Sequence, residues 1–195
     1  MDLDTPCIPL GHILTYFNIA QKPDLDLGVN EQDEDARAVQ LNKLMQVSMG
    51  LDHNEMFRKI GVVLSEGNVA GRYISTRQVL GLVEQSIEHM RMPYLGLFIG
   101  NIMTVSHHGY AGLMSITQPT LKECSQTTAR LCRELFPALD MSVHEADGLV
   151  WLAIDENVSL SPYTHYFMEL NSISFYNIVC DLVGRDPELE PVAIE

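Results

Sequence analysis

Positive charge is scarce: 12 lysines and arginines stand against 26 aspartates and glutamates, a formal charge of −14 at pH 7. Wrapping a phosphate backbone needs the opposite balance, so sequence-specific DNA affinity is not expected of this chain itself. Cysteine is also sparse. Cys7, Cys124, Cys132 and Cys180 form no CxxC pair, which excludes a zinc ribbon and leaves four reduced thiols as the expectation. No apolar run approaches the 18 or so residues of a membrane span, and Met1-Asp2-Leu3-Asp4 lacks the basic and apolar regions of a secretory leader. A cytoplasmic protein without membrane contact is therefore expected. GxSxG, HExxH, GxxxxGK[ST] and GxGxxG are all missing, so no motif nominates an enzyme, and no cofactor or metal is expected.

What remains is enough to fold. The 195 residues are 46% hydrophobic and 19% charged, which fits one domain with a sizeable core and does not fit the disordered class. Half of the net charge lies in the first 35 residues, where eight carboxylates face only Lys22. Residues 1–34 are accordingly expected to form an N-terminal extension, made of a short amphipathic helix and an acidic linker, ahead of a main domain at 35–195.

Within residues 8–20, Leu10, Ile13, Leu14 and Phe17 recur at the spacing of one helical face, with Pro9 in the first turn. Further helices are predicted over 35–49, ending at Gly50, and over 53–60, capped by Asp52 and closed by Gly61. A loop containing Gly67 and Gly71 comes next. Ser75 precedes Gln78 by three residues, a capping-box spacing, and opens a helix carrying Val79, Leu82, Val83, Ile87 and Met90. Pro93 ends it. Gly96 and Gly100 then share one side of a helix over 94–103, a pattern that predicts close backbone packing in the core. Helices are also predicted over 106–115 and from Thr120 to Leu135. The period then changes to two: 141–146 and 149–154 flank Asp147-Gly148, a hairpin turn pair. A last helix spans 164–183, and 191–195 reads as the opening of a strand. The fold class is α+β, mostly helical with a small antiparallel hairpin or sheet.

Between Met90 and Met114 the chain is apolar and rich in methionine, with Arg91 as the sole formal charge. Arg91, Met103, His107, Tyr110 and Met114 are the candidate effector-binding residues, with His107 or Tyr110 as polar handles. Such a lining favours a hydrophobic acid over a free sugar, because a polyol needs many matched polar partners. Met90 and Met92 belong with the same apolar set, and Arg72 and Arg77 are further candidates for clamping an anion. His107, His144 and Glu145 offer a weak metal or acid/base set, although neighbours such as His107-His108 point in different directions.

The order of five motifs carries a family resemblance. Pro93-Tyr94-Leu95-Gly96-Leu97 and Gly100 are followed by His107-His108-Gly109-Tyr110-Ala111 and by Gln118-Pro119-Thr120-Leu121-Lys122-Glu123. This string resembles the N-terminal, arabinose-binding-type domain of AraC-family transcription regulators. Met49-Gly50-Leu51-Asp52 with Leu64 resembles the family's turn between its first two helices. Leu182-Val183-Gly184-Arg185 and Glu190-Pro191-Val192 resemble the segment leading to its next strand. The resemblance covers about residues 35–195. Cys124 departs from the family's usual alanine, and residues 1–34 lie outside the pattern. The resemblance implies a sensor that binds a small effector and forms a homodimer, while a C-terminal helix-turn-helix half, absent from this chain, reads DNA. It also implies a sensor domain incomplete at its C-terminus. A dimerisation module without a ligand is the alternative, and a metal-dependent enzyme a weaker one.

Overall fold

The computed structural model describes residues 2–19, 52–64, 69–103 and 105–183. The expected acidic linker, the helix over 35–49 and the strand over 191–195 lie outside these residues. The described elements run β1 (Pro6–Pro9), α1 (Leu10–Ile19), α2 (His53–Lys59), β2 (Tyr73–Ser75), α3 (Thr76–Met90) and α4 (Leu95–Ile102). A 3-10 turn (Val105–His108), α5 (Gly109–Ile116), α6 (Leu121–Leu135), β3 (Leu139–Ala146), β4 (Leu149–Glu156) and α7 (Thr164–Val183) complete them. The class is α+β, with seven α-helices and two separate two-stranded antiparallel sheets among the described residues.

Local chemistry sets most of the boundaries. Asp52 accepts a hydrogen bond from Glu55 N at 3.1 Å and caps α2. At α3 the capping box is complete: the Ser75 hydroxyl accepts from Gln78 N at 3.2 Å and Gln78 Oε1 accepts from Ser75 N at 2.9 Å. Thr120 caps α6 by a single bond, its hydroxyl oxygen accepting from Glu123 N at 3.2 Å. Asp147 and Gly148 have φ of 54° and 79°, the paired positive values of a tight hairpin turn, and β3 pairs with β4 from Leu139–Glu156 to Ala146–Leu149. The hairpin is thus two residues longer at each open end than the alternation predicts.

Two expectations need correction. The helix expected from residue 8 begins at Leu10, because Pro6–Pro9 pairs with Tyr73–Ser75 as a strand and Leu10 N donates to Arg72 O at 2.9 Å. Neither strand announces itself, since one is bracketed by prolines, the other is three residues long, and more than sixty residues of sequence separate them. The helix expected over 106–115 is split, because Gly109 takes φ 56° and joins a 3-10 turn to α5. Helices 53–60, 94–103, 120–135 and 164–183 stand within two residues of their expected limits.

Ile8, Leu10 and Ile13 join Phe57, Ile74, Leu82, Leu139, Leu160 and Phe167 in one buried cluster, so β1 and α1 pack into the main core. A smaller cluster of Leu95, Ile102 and Met103, with Met90 and Met92 against it, lies under α4. There α4 rests directly on the backbone of α7. A Cβ on Gly96 would stand 2.3 Å from Tyr166 O, and one on Gly100 2.7 Å from Leu170 O. Asn177 on α7 clamps the contact by donating to Gly100 O at 3.3 Å and to Asn101 O at 3.2 Å. The glycine spacing therefore marks close helix packing, as its sequence pattern predicts.

Candidate functional site

Helical periodicity places one apolar stripe from each of several helices around a common space. On α3 the stripe is Val79, Leu82, Val83 and Ser86; on α6 it is Thr128, Leu131, Cys132 and Leu135. Both follow the i, i+3, i+4, i+7 rule for residues sharing a face. Tyr166, Phe167, Leu170, Asn171 and Ile178 come from α7, Ala111, Gly112 and Ser115 from α5, and His12, Ile13 and Tyr16 from α1. Phe136, Leu139 and Met141 close the end near the hairpin, where Phe136 stacks on Phe167 with ring centres 5.1 Å apart. The cavity, partly open to solvent, has a volume of about 100 Å³.

Among the described residues, no aspartate, glutamate, lysine or arginine lines this space. Its two serines face their own helices, Ser86 donating to Leu82 O and Ser115 to Ala111 O, so they add little polarity to the wall. Thr128 and Asn171 add polar groups on the α6 and α7 walls, and a further set lies where α1 meets the 3-10 turn. Tyr16 Oη lies 3.2 Å from His12 Nε2, with the two rings edge to face, and His108 Nε2 lies 2.8 Å from Ser174 Oγ. Desolvation depresses both histidines to a pKa of about 4, helped for His108 by its like neighbours His12 and His107. Both imidazoles are neutral at pH 7. Burial also pushes the Cys132 thiol up to about 11 and raises the Tyr16 and Tyr166 phenols, so these too are uncharged. The arrangement offers an apolar pocket with a small, neutral set of hydrogen-bonding groups.

None of the five residues singled out from the sequence lines the cavity. Arg91 caps the C-terminus of α3 in a left-handed conformation (φ 52°) and is exposed. Met103 is fully buried in the smaller cluster, His107 is buried in the 3-10 turn, Met114 is half-buried on α5, and Tyr110 is 72% exposed. Met90 and Met92 fill that same smaller cluster. Arg77 is paired with Asp4 at 2.6 Å, and Arg72 donates to Val63 O at 2.8 Å. His144 is exposed on β3 against Trp151, and Glu145 pairs with Lys122. Among the described residues no group of three or more His, Cys, Asp or Glu side chains is placed to hold a metal.

The cavity residues that sequence reasoning missed are chiefly His12, Tyr16 and His108. A signal existed for the first two, since His12 and Tyr16 stand four apart on α1 and share a face. For the histidine pair the deciding fact is the 3-10 turn, which sends His108 rather than His107 to the cavity. No helix of the described residues is long and apolar enough to cross a membrane.

A family model described as "Arabinose-binding domain of AraC transcription regulator, N-term" matches residues 50–195, about three quarters of the chain. No curated protein matches it.

Proposed function

The chain belongs to the family of N-terminal arabinose-binding domains of AraC transcription regulators, and from that premise we propose that it senses a small effector in the cavity between α1, α3, α5, α6 and α7 and forms a homodimer. The carrying observation is the cavity itself: mainly apolar, with no charged side chain among the described residues that line it, and with hydrogen-bonding groups at His12, Tyr16 and His108. Such a lining supports a mainly apolar molecule with one polar end, a hydrophobic acid included. A free pentose fits it poorly, because each hydroxyl left without a partner costs about 1–3 kcal/mol.

The test is a thermal-shift panel of medium-chain alcohols, aromatic and fatty acids, and pentoses. A true effector at a hundredfold excess over its Kd adds about 2.7 kcal/mol, or roughly 5–10 °C in Tm for a domain of this size. Stabilisation by pentoses alone overturns the apolar reading.

Dimerisation is supported by apolar side chains left in solvent, among them Leu149 and Trp151 on the hairpin and Tyr110 and Leu113 on α5. Sedimentation is expected to show a dimer at micromolar concentration. A monomer persisting at high micromolar concentration contradicts this half of the proposal. In a regulator of this family, DNA reading falls to a helix-turn-helix half, consistent with the −14 charge of this chain.

A further inference from the structure

We infer that the cavity takes up an organic acid only together with one proton, so that the bound pair is electrically neutral. This rests on the proposed apolar-effector reading. The geometry behind it is a lining that, among the described residues, holds no lysine or arginine. A carboxylate entering alone would leave water for a wall that offers it no counter-charge, and a buried unpaired charge neutralises rather than persists.

Five titratable groups among the described residues face the space. From α1 come His12 and Tyr16, from the 3-10 turn His108, from α6 Cys132 and from α7 Tyr166. Of these, only the two imidazoles can gain a proton. His12 is bonded to a phenol and His108 to the Ser174 hydroxyl, so neither already holds a carboxylate that would keep it charged. Burial keeps both neutral while the cavity is empty. When an acid enters, a proton from solvent either stays on its carboxyl oxygen or forms an N–H bond on one imidazole, giving an internal ion pair. Both routes consume one proton per acid bound, and neither is needed for an alcohol of the same length.

Octanoic acid and 1-octanol make the matched probes, titrated calorimetrically into the full chain between pH 5.5 and 8 in buffers of different ionisation enthalpy. The expected result is an uptake of about one proton per octanoic acid, with affinity falling about tenfold per pH unit across this range, above the ordinary pKa of a carboxyl group. Octanol is expected to bind with no proton uptake and no pH dependence. Octanoic acid binding with pH-independent affinity and no proton uptake overturns the inference and leaves the apolar-effector reading standing. The same holds if octanol binds and octanoic acid does not at any pH. Failure of both probes to bind overturns the apolar-effector reading and the inference with it.

Discussion

Gly96→Ala is expected to destabilise the protein by about 3 kcal/mol or more, whereas Gly81→Ala is expected to be close to neutral. Both glycines lie inside helices, where alanine is intrinsically favoured by about 1 kcal/mol, so helix propensity predicts a gain at each. The surroundings decide otherwise. A methyl at Gly96 meets backbone atoms of Tyr166, the oxygen at 2.3 Å and the carbonyl carbon and Cα at 2.9 Å. Backbone of α7 cannot yield without moving the whole helix, and overpacking of this kind costs typically 1–3 kcal/mol, occasionally more. At Gly81 the nearest obstacle is Ile60 Cγ2 at 2.9 Å, on a half-buried side chain whose shift offsets the gain from alanine without displacing the backbone of another helix. Urea unfolding of the two variants measures the difference. Because α7 supplies Tyr166, Phe167, Leu170 and Asn171 to the cavity wall, Gly96→Ala is also expected to weaken ligand binding. Equal stability of the two variants contradicts the backbone contact between α4 and α7.

The second large effect is loss of stability in mild acid. His12 and His108 titrate near 6.5 in an unfolded chain and near 4 when buried. Between those values the unfolded chain binds protons that the folded protein refuses, so stability is complete above about pH 7 and declines as the pH falls toward 4. Each group contributes about 3 kcal/mol over that interval. The sum is a large part of the roughly 5–15 kcal/mol that holds an ordinary domain together. His53 and His107, also lowered by burial, act in the same direction. Urea midpoints at pH 7, 5.5 and 4 are expected to fall steeply, and a His12→Gln, His108→Gln double variant is expected to lose most of that slope. An unchanged slope in the double variant contradicts the assignment.

The elements legible in the sequence are those whose signals are local. Ser75 with Gln78, Asp52 with Glu55, and Asp147 with Gly148 each complete their hydrogen bonds or turn angles within four residues, and the corresponding helices and hairpin stand where those residues place them. The β1–β2 pair is not legible, since its partners lie more than sixty residues apart in the sequence and are held together by the core around Ile8 and Ile74. The site divides in the same way. The stripe of Thr128, Leu131 and Leu135 on α6 is visible as a helical face, but a face that lines a cavity has the same period as one that fills a core. Methionine content near residues 90–114 suits an adaptable apolar pocket and ordinary core filling alike, and the structure packs Met90, Met92 and Met103 together. His108 depends on a positive φ at Gly109 that converts one turn of the expected helix to 3-10 geometry.

That the cavity is the effector site is tested most directly by filling it. Leu131 lies on its α6 wall and is only partly buried, so Leu131→Trp puts added side-chain bulk into the cavity and reduces its free volume, and far-UV circular dichroism with urea unfolding verifies that the variant remains folded. The measurement is the calorimetric affinity for 1-octanol of the wild type, of Leu131→Trp and of the cavity-enlarging Leu131→Ala. The expected result is binding to the wild type, a loss of at least about tenfold in the folded tryptophan variant, equivalent to about 1.4 kcal/mol, and retained binding in the alanine variant. Affinity unchanged in a folded Leu131→Trp protein would place the ligand elsewhere and contradict the account.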